Sequence, residues 1–182
     1  MTRVAIIGAG LAGLTLANRL KDHADVTVFE KSAGVGGRIA TRSASPYAFD
    51  HGAQFFIAKS PAFQAEVKKW LEAGVVQIWN ARFAEFEGNK IVAERNWNDS
   101  PPHYVGVPGM KHIGKHLANG IDVKLNTRVL MQRAEDAWQL DTDSGEQLGR
   151  FDWVITTAPA AQTAALLPAS TPIQASIQTQ MS

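Results

Sequence analysis

The stretch 4–20, VAIIGAGLAGLTLANRL, places Gly8, Gly10 and Gly13 in the order G-x-G-x-x-G inside an apolar run. Residues 4–7 are rich in β-branched side chains, as a short buried strand requires. Leu11, Leu14, Leu16, Ala17 and Leu20 then recur at the spacing of a mostly buried helix. Residues 25–29, DVTVF, read as a second strand. Strand, glycine turn, helix and strand make a βαβ unit, the setting in which this glycine pattern binds a dinucleotide. There Gly8 permits the tight bend, Gly10 lets backbone approach a diphosphate, and Gly13 lets helix and strand pack closely. The first helical residues, Leu11, Ala12 and Gly13, offer that anion unpaired N–H groups and the positive end of the helix. Glu30 stands at the end of the second strand, about twenty residues on, where a carboxylate accepts hydrogen bonds from a ribose. An acid there disfavours the extra phosphate of NADP, because two anions would face each other. NAD and the adenosine half of FAD both satisfy this much.

The opening run also has the outline of a secretory leader, but its n-region carries a lone Arg and glycines interrupt the apolar segment, so that reading is set aside. No other stretch is long and apolar enough to cross a bilayer, so no membrane partner is expected. With 45% hydrophobic and 19% charged residues the chain reads as globular. The absence of cysteine excludes disulfides, thiolate zinc sites, thiol nucleophiles and flavin attached through sulfur, and it suits a reducing cytoplasm, the expected compartment. Eighteen Lys and Arg against 17 Asp and Glu leave a net charge of +1, with no long basic run to track a phosphate backbone, so nucleic acid is not an expected partner. His112 and His116 stand one helical turn apart without an evident third ligand, so no metal site is assigned. Asp50 and His51 are adjacent in an extended segment and point to opposite sides, which makes Asp50 a structural cap rather than half of an acid/base pair.

After the glycine cluster around Gly34 to Gly37 comes a turn-rich stretch, and then Ser60-Pro61 looks like an N-cap with proline at the first helical position. Phe63, Val67, Trp70 and Leu71 form the packing face of that helix, and Gly74 ends it. Short alternating segments from 75 to 92, parted by Gly88-Asn89, predict strands outside the βαβ unit, followed by a loop over 98–102. Met110, Ile113 and Leu117 predict another amphipathic helix, closed at Asn119-Gly120. Segments 123–125, 128–133, 138–141 and 147–155 predict a four-strand meander, whose last member returns to the core, and 169–182 reads as a frayed tail.

Residues 30–42, EKSAGVGGRIATR, decide between the two dinucleotides. This segment resembles the flavoprotein amine oxidase superfamily, whose members carry G-G-R shortly after the ribose-binding Glu. Gly36 and Gly37 bring backbone N–H groups to a diphosphate, and Arg38 adds a permanent forked cation. Residues 49–56, FDHGAQFF, with their spacing from GGRIATR, resemble the renalase branch of that superfamily, where the matching stretch runs close to the flavin ring. The resemblance implies that Ala53, Gln54 and Phe55 lie near the isoalloxazine, with Gln54 and Phe55 as the candidate catalytic residues on its substrate face. It places Lys31 beside Glu30 in the cofactor site. Asn126-Thr127-Arg128-Val129 is similar to the strand whose valine backbone meets the adenine edge, and Thr157-Ala158-Pro159, with Ala158 as a cofactor contact, to the end of the strand returning beneath the flavin.

The expected fold class is α/β, a discontinuous Rossmann-like FAD/NAD(P)-binding domain with part of a smaller mixed-sheet substrate domain. The expected segments are 1–74 and 104–168 in the FAD-binding domain, 75–103 opening the substrate domain, and 169–182 as a tail or truncated continuation. Superfamily members are longer and return to the flavin with a Gly-Asp segment not found here, so the expectation is a two-domain flavoprotein of this type or its N-terminal portion: a fragment, a truncated reading frame, or a domain that pairs with something else. By the same resemblance the cofactor is non-covalent FAD, and the reaction takes hydride from isomers of NAD(P)H and reduces O2 to H2O2. An amine oxidase or desaturase relative with another donor, and a non-catalytic dinucleotide-binding fragment, are the alternatives.

Overall fold

The computed structural model describes residues 1–96, 101–168, 171, 174, 176 and 177. The loop expected at Asn98, Asp99 and Ser100, and most of the expected tail, lie outside the described residues. In chain order the elements are β1 Arg3–Ile7, α1 Leu11–Leu20, β2 Asp25–Phe29, a single 3-10 turn Gly37–Ile39, β3 Thr41–Ala44, β4 Tyr47–Asp50, β5 Phe56–Ile57 and α2 Pro61–Glu72. They continue as β6 Val76–Ile78, β7 Arg82–Glu87, β8 Lys90–Asn96, β9 His103–Gly106, α3 Lys111–Ala118, β10 Asp122–Lys124, β11 Val129–Ala134, β12 Ala137–Thr142, β13 Gln147–Phe151, β14 Trp153–Thr156 and α4 Ala160–Leu166. The chain divides into two compact units, Met1–Arg38 with Leu117–Ser182, and Ile39–His116.

The first unit is built on a four-stranded parallel sheet of order β10-β2-β1-β14. β1 and β2 run as apolar strings because both faces of a parallel sheet are covered: Ala5, Ile6 and Val28 are fully buried. α1 makes the crossover and buries Leu14 and Ala17. An antiparallel meander β11-β12-β13 packs beside the sheet. Its apolar residues alternate, so Val129 and Met131 on β11 and Leu140 on β12 share one face. That face meets Ala5, Ile7, Phe29 and Phe151 in one core, where the Phe29 and Phe151 rings stand edge to face at 5.8 Å.

Two strand expectations need correction here. Segment 123–125 belongs to no meander; β10 pairs in parallel with β2 at the edge of the main sheet. Segment 147–155 is two strands, β13 pairing antiparallel with β12 and β14 pairing in parallel with β1. The break falls at Asp152, whose N–H donates to the Arg3 carbonyl (3.0 Å) while its carboxylate accepts from the Arg3 N–H (2.7 Å). A change of partner, not of side-chain period, separates the strands, and periodicity carries no record of it.

The second unit holds the hairpins β3-β4 and β7-β8 and the sheet β5-β9-β6. The β3-β4 hairpin occupies the stretch read as turns. α2 begins as read, with Ser60 Oγ accepting from the Phe63 N–H at 3.3 Å and Pro61 at its first position, and Gly74 follows its end at φ +67°. Its buried face is Val67 and Trp70, and Trp70 stacks edge-on against Phe56 and Phe63. Asp50 is a cap: its Oδ1 accepts from Thr41 Oγ1 and from the Met110 N–H just before α3.

Candidate dinucleotide site

The first glycine turn joins β1 to α1. Gly8 sits at φ +109°, a region that side chains rarely tolerate, and its N–H donates to the Phe29 carbonyl at 2.8 Å. Gly10 is the N-cap of α1 in extended conformation, and no side chain caps the helix. The first N–H bonded back to the turn is that of Leu14, to the Gly10 carbonyl at 3.0 Å. The N–H groups of Leu11, Ala12 and Gly13 therefore have no helical acceptor, and the first turn carries no acid to neutralise them. A Cβ at Gly13 would lie 2.0 Å from the Gly8 carbonyl oxygen, whereas a Cβ at Gly10 would meet nothing within 4 Å. One glycine is demanded by packing; the other faces open space.

The second glycine turn lies against the first. The Gly36 N–H donates to the Ala9 carbonyl at 2.8 Å, and Gly10 and Gly36 form an isolated parallel bridge. Gly36 and Gly37 both have positive φ, and a Cβ on Gly37 would lie 3.3 Å from the Gly10 Cα. The 3-10 turn that follows carries Arg38, which is exposed and makes no side-chain hydrogen bond or ion pair with any described residue.

Glu30 is buried, at 9% exposure. One carboxylate oxygen accepts from the Ala9 N–H and the other from the Ser32 N–H, both at 2.9 Å. A carboxylate has about four acceptor positions, so two remain for hydroxyl donors. Glu30→Ala strands two backbone donors and is expected to lower stability by about 2–4 kcal/mol, read by urea denaturation; Glu30→Gln, which keeps one acceptor, should lose roughly half as much.

The other sequence-assigned residues are placed as follows. Lys31 Nζ reaches Gln162 Oε1 on α4 at 3.1 Å. Val129 is buried on β11, opposite Thr142. Ala158 follows β14, its carbonyl accepting from Thr163 Oγ1 at 3.1 Å. Ala53, Gln54 and Phe55 belong to the second unit, in the segment between β4 and β5, with Ala53 and Gln54 exposed and Phe55 half-buried. The Phe55 ring lies 5.1 Å from His103 and 5.9 Å from Trp79, two residues that sequence reasoning did not connect with it. Their signal is strand register alone: the Trp79 N–H donates to the His103 carbonyl at 2.8 Å where β6 and β9 meet. His112 Nδ1 lies 3.1 Å from the Gly109 carbonyl, and no group of three metal-ligating side chains occurs among the described residues. No described helix is long and apolar enough to cross a membrane.

A dinucleotide fits what the first unit presents. Gly10 leaves room at the mouth of the turn, helix N–H groups and a guanidinium that have no partners among the described residues suit a diphosphate, and Glu30 keeps acceptor positions for hydroxyl donors.

The family description "NAD(P)-binding Rossmann-like domain" matches residues 6–71. Renalase of Mus musculus is 28% identical over 178 residues, covering 89% of this chain and 48% of the mouse protein. A probable polyamine oxidase 5 of Arabidopsis thaliana is 28% identical over 127 residues, 66% of this chain and 24% of that protein. Among solved structures, a double mutant of putrescine oxidase superposes with a TM-score of 0.72 at 14% identity, covering 97% of this chain and 63% of the other. The chain thus spans about half the length of the curated renalase it matches. It is similar to renalase along most of its length, matches an NAD(P)-binding Rossmann-like domain over residues 6–71, and shares a fold with putrescine oxidase.

Proposed function

We propose that the first unit binds FAD non-covalently and that the protein is a renalase-like oxidase, taking hydride from isomers of NAD(P)H. The observation that carries this reading is the junction of the two glycine turns at Gly10 and Gly36, with the uncapped start of α1 beside it and Arg38, which has no partner among the described residues, next in the chain. FAD, when bound, supplies a two-electron acceptor that hands its electrons on to oxygen. The chain's own part is to hold and orient. Leu11, Ala12, Gly13, Gly37 and Arg38 would bind the diphosphate; Gly36, whose N–H is already donated to the Ala9 carbonyl, would act by tying the second glycine turn to the first rather than by offering the donor expected of it. Glu30 would hold the ribose with Lys31 beside it, and Val129 and Ala158 would flank the adenine and flavin ends. Ala53, Gln54 and Phe55 would face the ring.

Loss of hydride turns a dihydropyridine into an aromatic pyridinium, so the substrate side needs no general base. Two electrons and the hydride's proton, with one more proton from water, convert O2 to H2O2. Positioning and exclusion of water are then the protein's contribution.

A second reading, an amine oxidase with an aliphatic donor, is favoured by the likeness to the polyamine and putrescine oxidases. Purified protein reconstituted with FAD separates the readings under anaerobic titration. Bleaching of the flavin band by dihydronicotinamide isomers and not by amines supports the first; the reverse supports the second. Retention of adenine nucleotide with no bleaching by either donor overturns both in favour of a binding module.

A further inference from the structure

Gly8 and Gly13 together leave a gap that a single side chain fills. A Cβ built on either would lie 2.9 Å from Thr157 Oγ1. Thr157 follows β14, and its N–H extends the parallel ladder to the Ile7 carbonyl at 2.9 Å. Its hydroxyl lies 3.2 Å from the Ile7 oxygen and 3.1 Å from the Gly8 oxygen, one proton shared between two carbonyls. Among the described residues that hydroxyl is the donor the Gly8 oxygen receives. The other end of the same peptide, the Ala9 N–H, is held by Glu30 at 2.9 Å. The Gly8–Ala9 peptide plane is therefore gripped at both ends, its oxygen by Thr157 and its N–H by Glu30. The next carbonyl, that of Ala9, receives the Gly36 N–H and so joins the two glycine turns.

We propose that Thr157 is a positioning residue for the diphosphate cradle. It acts through the Gly8–Ala9 peptide and does not touch the ligand. The orientation of that peptide sets where Gly10 and the first N–H groups of α1 point, and a peptide held only at its N–H can rotate about the remaining bond. The inference rests on the dinucleotide reading of the first unit, and it predicts an effect confined to the charged middle of the ligand.

The test is isothermal titration of this chain and of Thr157→Val and Thr157→Ser with two probes, ADP and adenosine. Valine keeps the β-branched shape and removes the donor; serine keeps the donor. The expected result is ADP binding weakened about tenfold in Thr157→Val and within about twofold of wild type in Thr157→Ser, with adenosine affinity unchanged in both. Equal ADP affinity in wild type and Thr157→Val overturns the proposal, as does an equal loss for ADP and adenosine, which would mark a general packing role. Should Thr157→Val fail to give a cooperative melt, Thr157→Ala against Thr157→Ser carries the same comparison. Absence of ADP binding by the wild-type chain overturns the dinucleotide reading itself, and the positioning role with it, which distinguishes the two failures.

Discussion

Gly13→Ala is expected to lower the melting temperature by on the order of 10 °C, corresponding to about 3 kcal/mol or more for a chain of this size. The new Cβ would stand 2.0 Å from the Gly8 carbonyl oxygen, a backbone atom with no flexible end to move aside, and 2.9 Å from Thr157 Oγ1. Relief requires α1 to withdraw from β1, and Leu14 and Ala17, both fully buried, would withdraw with it. Gly10→Ala is the contrasting variant. Gly10 has φ −78°, which any residue adopts, and nothing lies within 4 Å of an added Cβ, so stability should fall only by the poorer capping of alanine, about 0.5–1 kcal/mol. That methyl would fill the space at the mouth of the turn, and ADP binding should fall about tenfold or more. Thermal melts and ADP titrations of the pair make the check. A Gly13→Ala protein that melts with wild type, or a Gly10→Ala protein that binds ADP normally, would contradict the assigned division of labour between the two glycines.

Arg38→Ala should weaken FAD and ADP binding about tenfold to a hundredfold and leave the melting temperature unchanged. The two halves of that expectation have separate grounds. Arg38 is exposed and makes no side-chain hydrogen bond or ion pair with any described residue, so its removal costs the fold little. A guanidinium beside a diphosphate makes charge-assisted, forked hydrogen bonds, so its removal costs the complex much. Arg38→Lys should recover only part of the loss, because an ammonium cannot make the planar two-pronged contact. Raising the salt concentration should narrow the gap between wild type and variant, since part of the attraction is screened. Undiminished FAD retention by Arg38→Ala refutes the role.

The helix and strand of the opening βαβ unit were legible because their signals are local. Residues 11–20 repeat at helical spacing and fold as α1, and 25–29 fold as β2. Ser60-Pro61 announced α2 for the same reason: an N-cap is decided within one turn of chain. The 147–155 segment misled because its apolar residues continue evenly through Asp152, while the partner strand changes from β12 to β1. β10 misled because an edge strand of three residues has too short a pattern to declare its sheet. Phe55 was noticed through a motif, whereas Trp79 and His103 have no motif and reach it only through the pairing of β6 with β9.

The amino-acid order alone determined that a glycine turn opens this chain, that the turn leads into an uncapped helix, and that an acid closes the second strand. Backbone sterics, capping and side-chain period act over a handful of neighbouring residues, and all three are written in the local sequence. Only the tertiary structure decided that Gly36 donates to Ala9, that Glu30 grips the Ala9 N–H, and that Thr157, 149 residues away in the chain, holds the Gly8 oxygen. Those contacts depend on parallel pairing between distant strands, whose hydrogen bonds run between backbone groups common to every residue type. The chemistry of the parts could be read in advance; their convergence on one peptide plane required the fold.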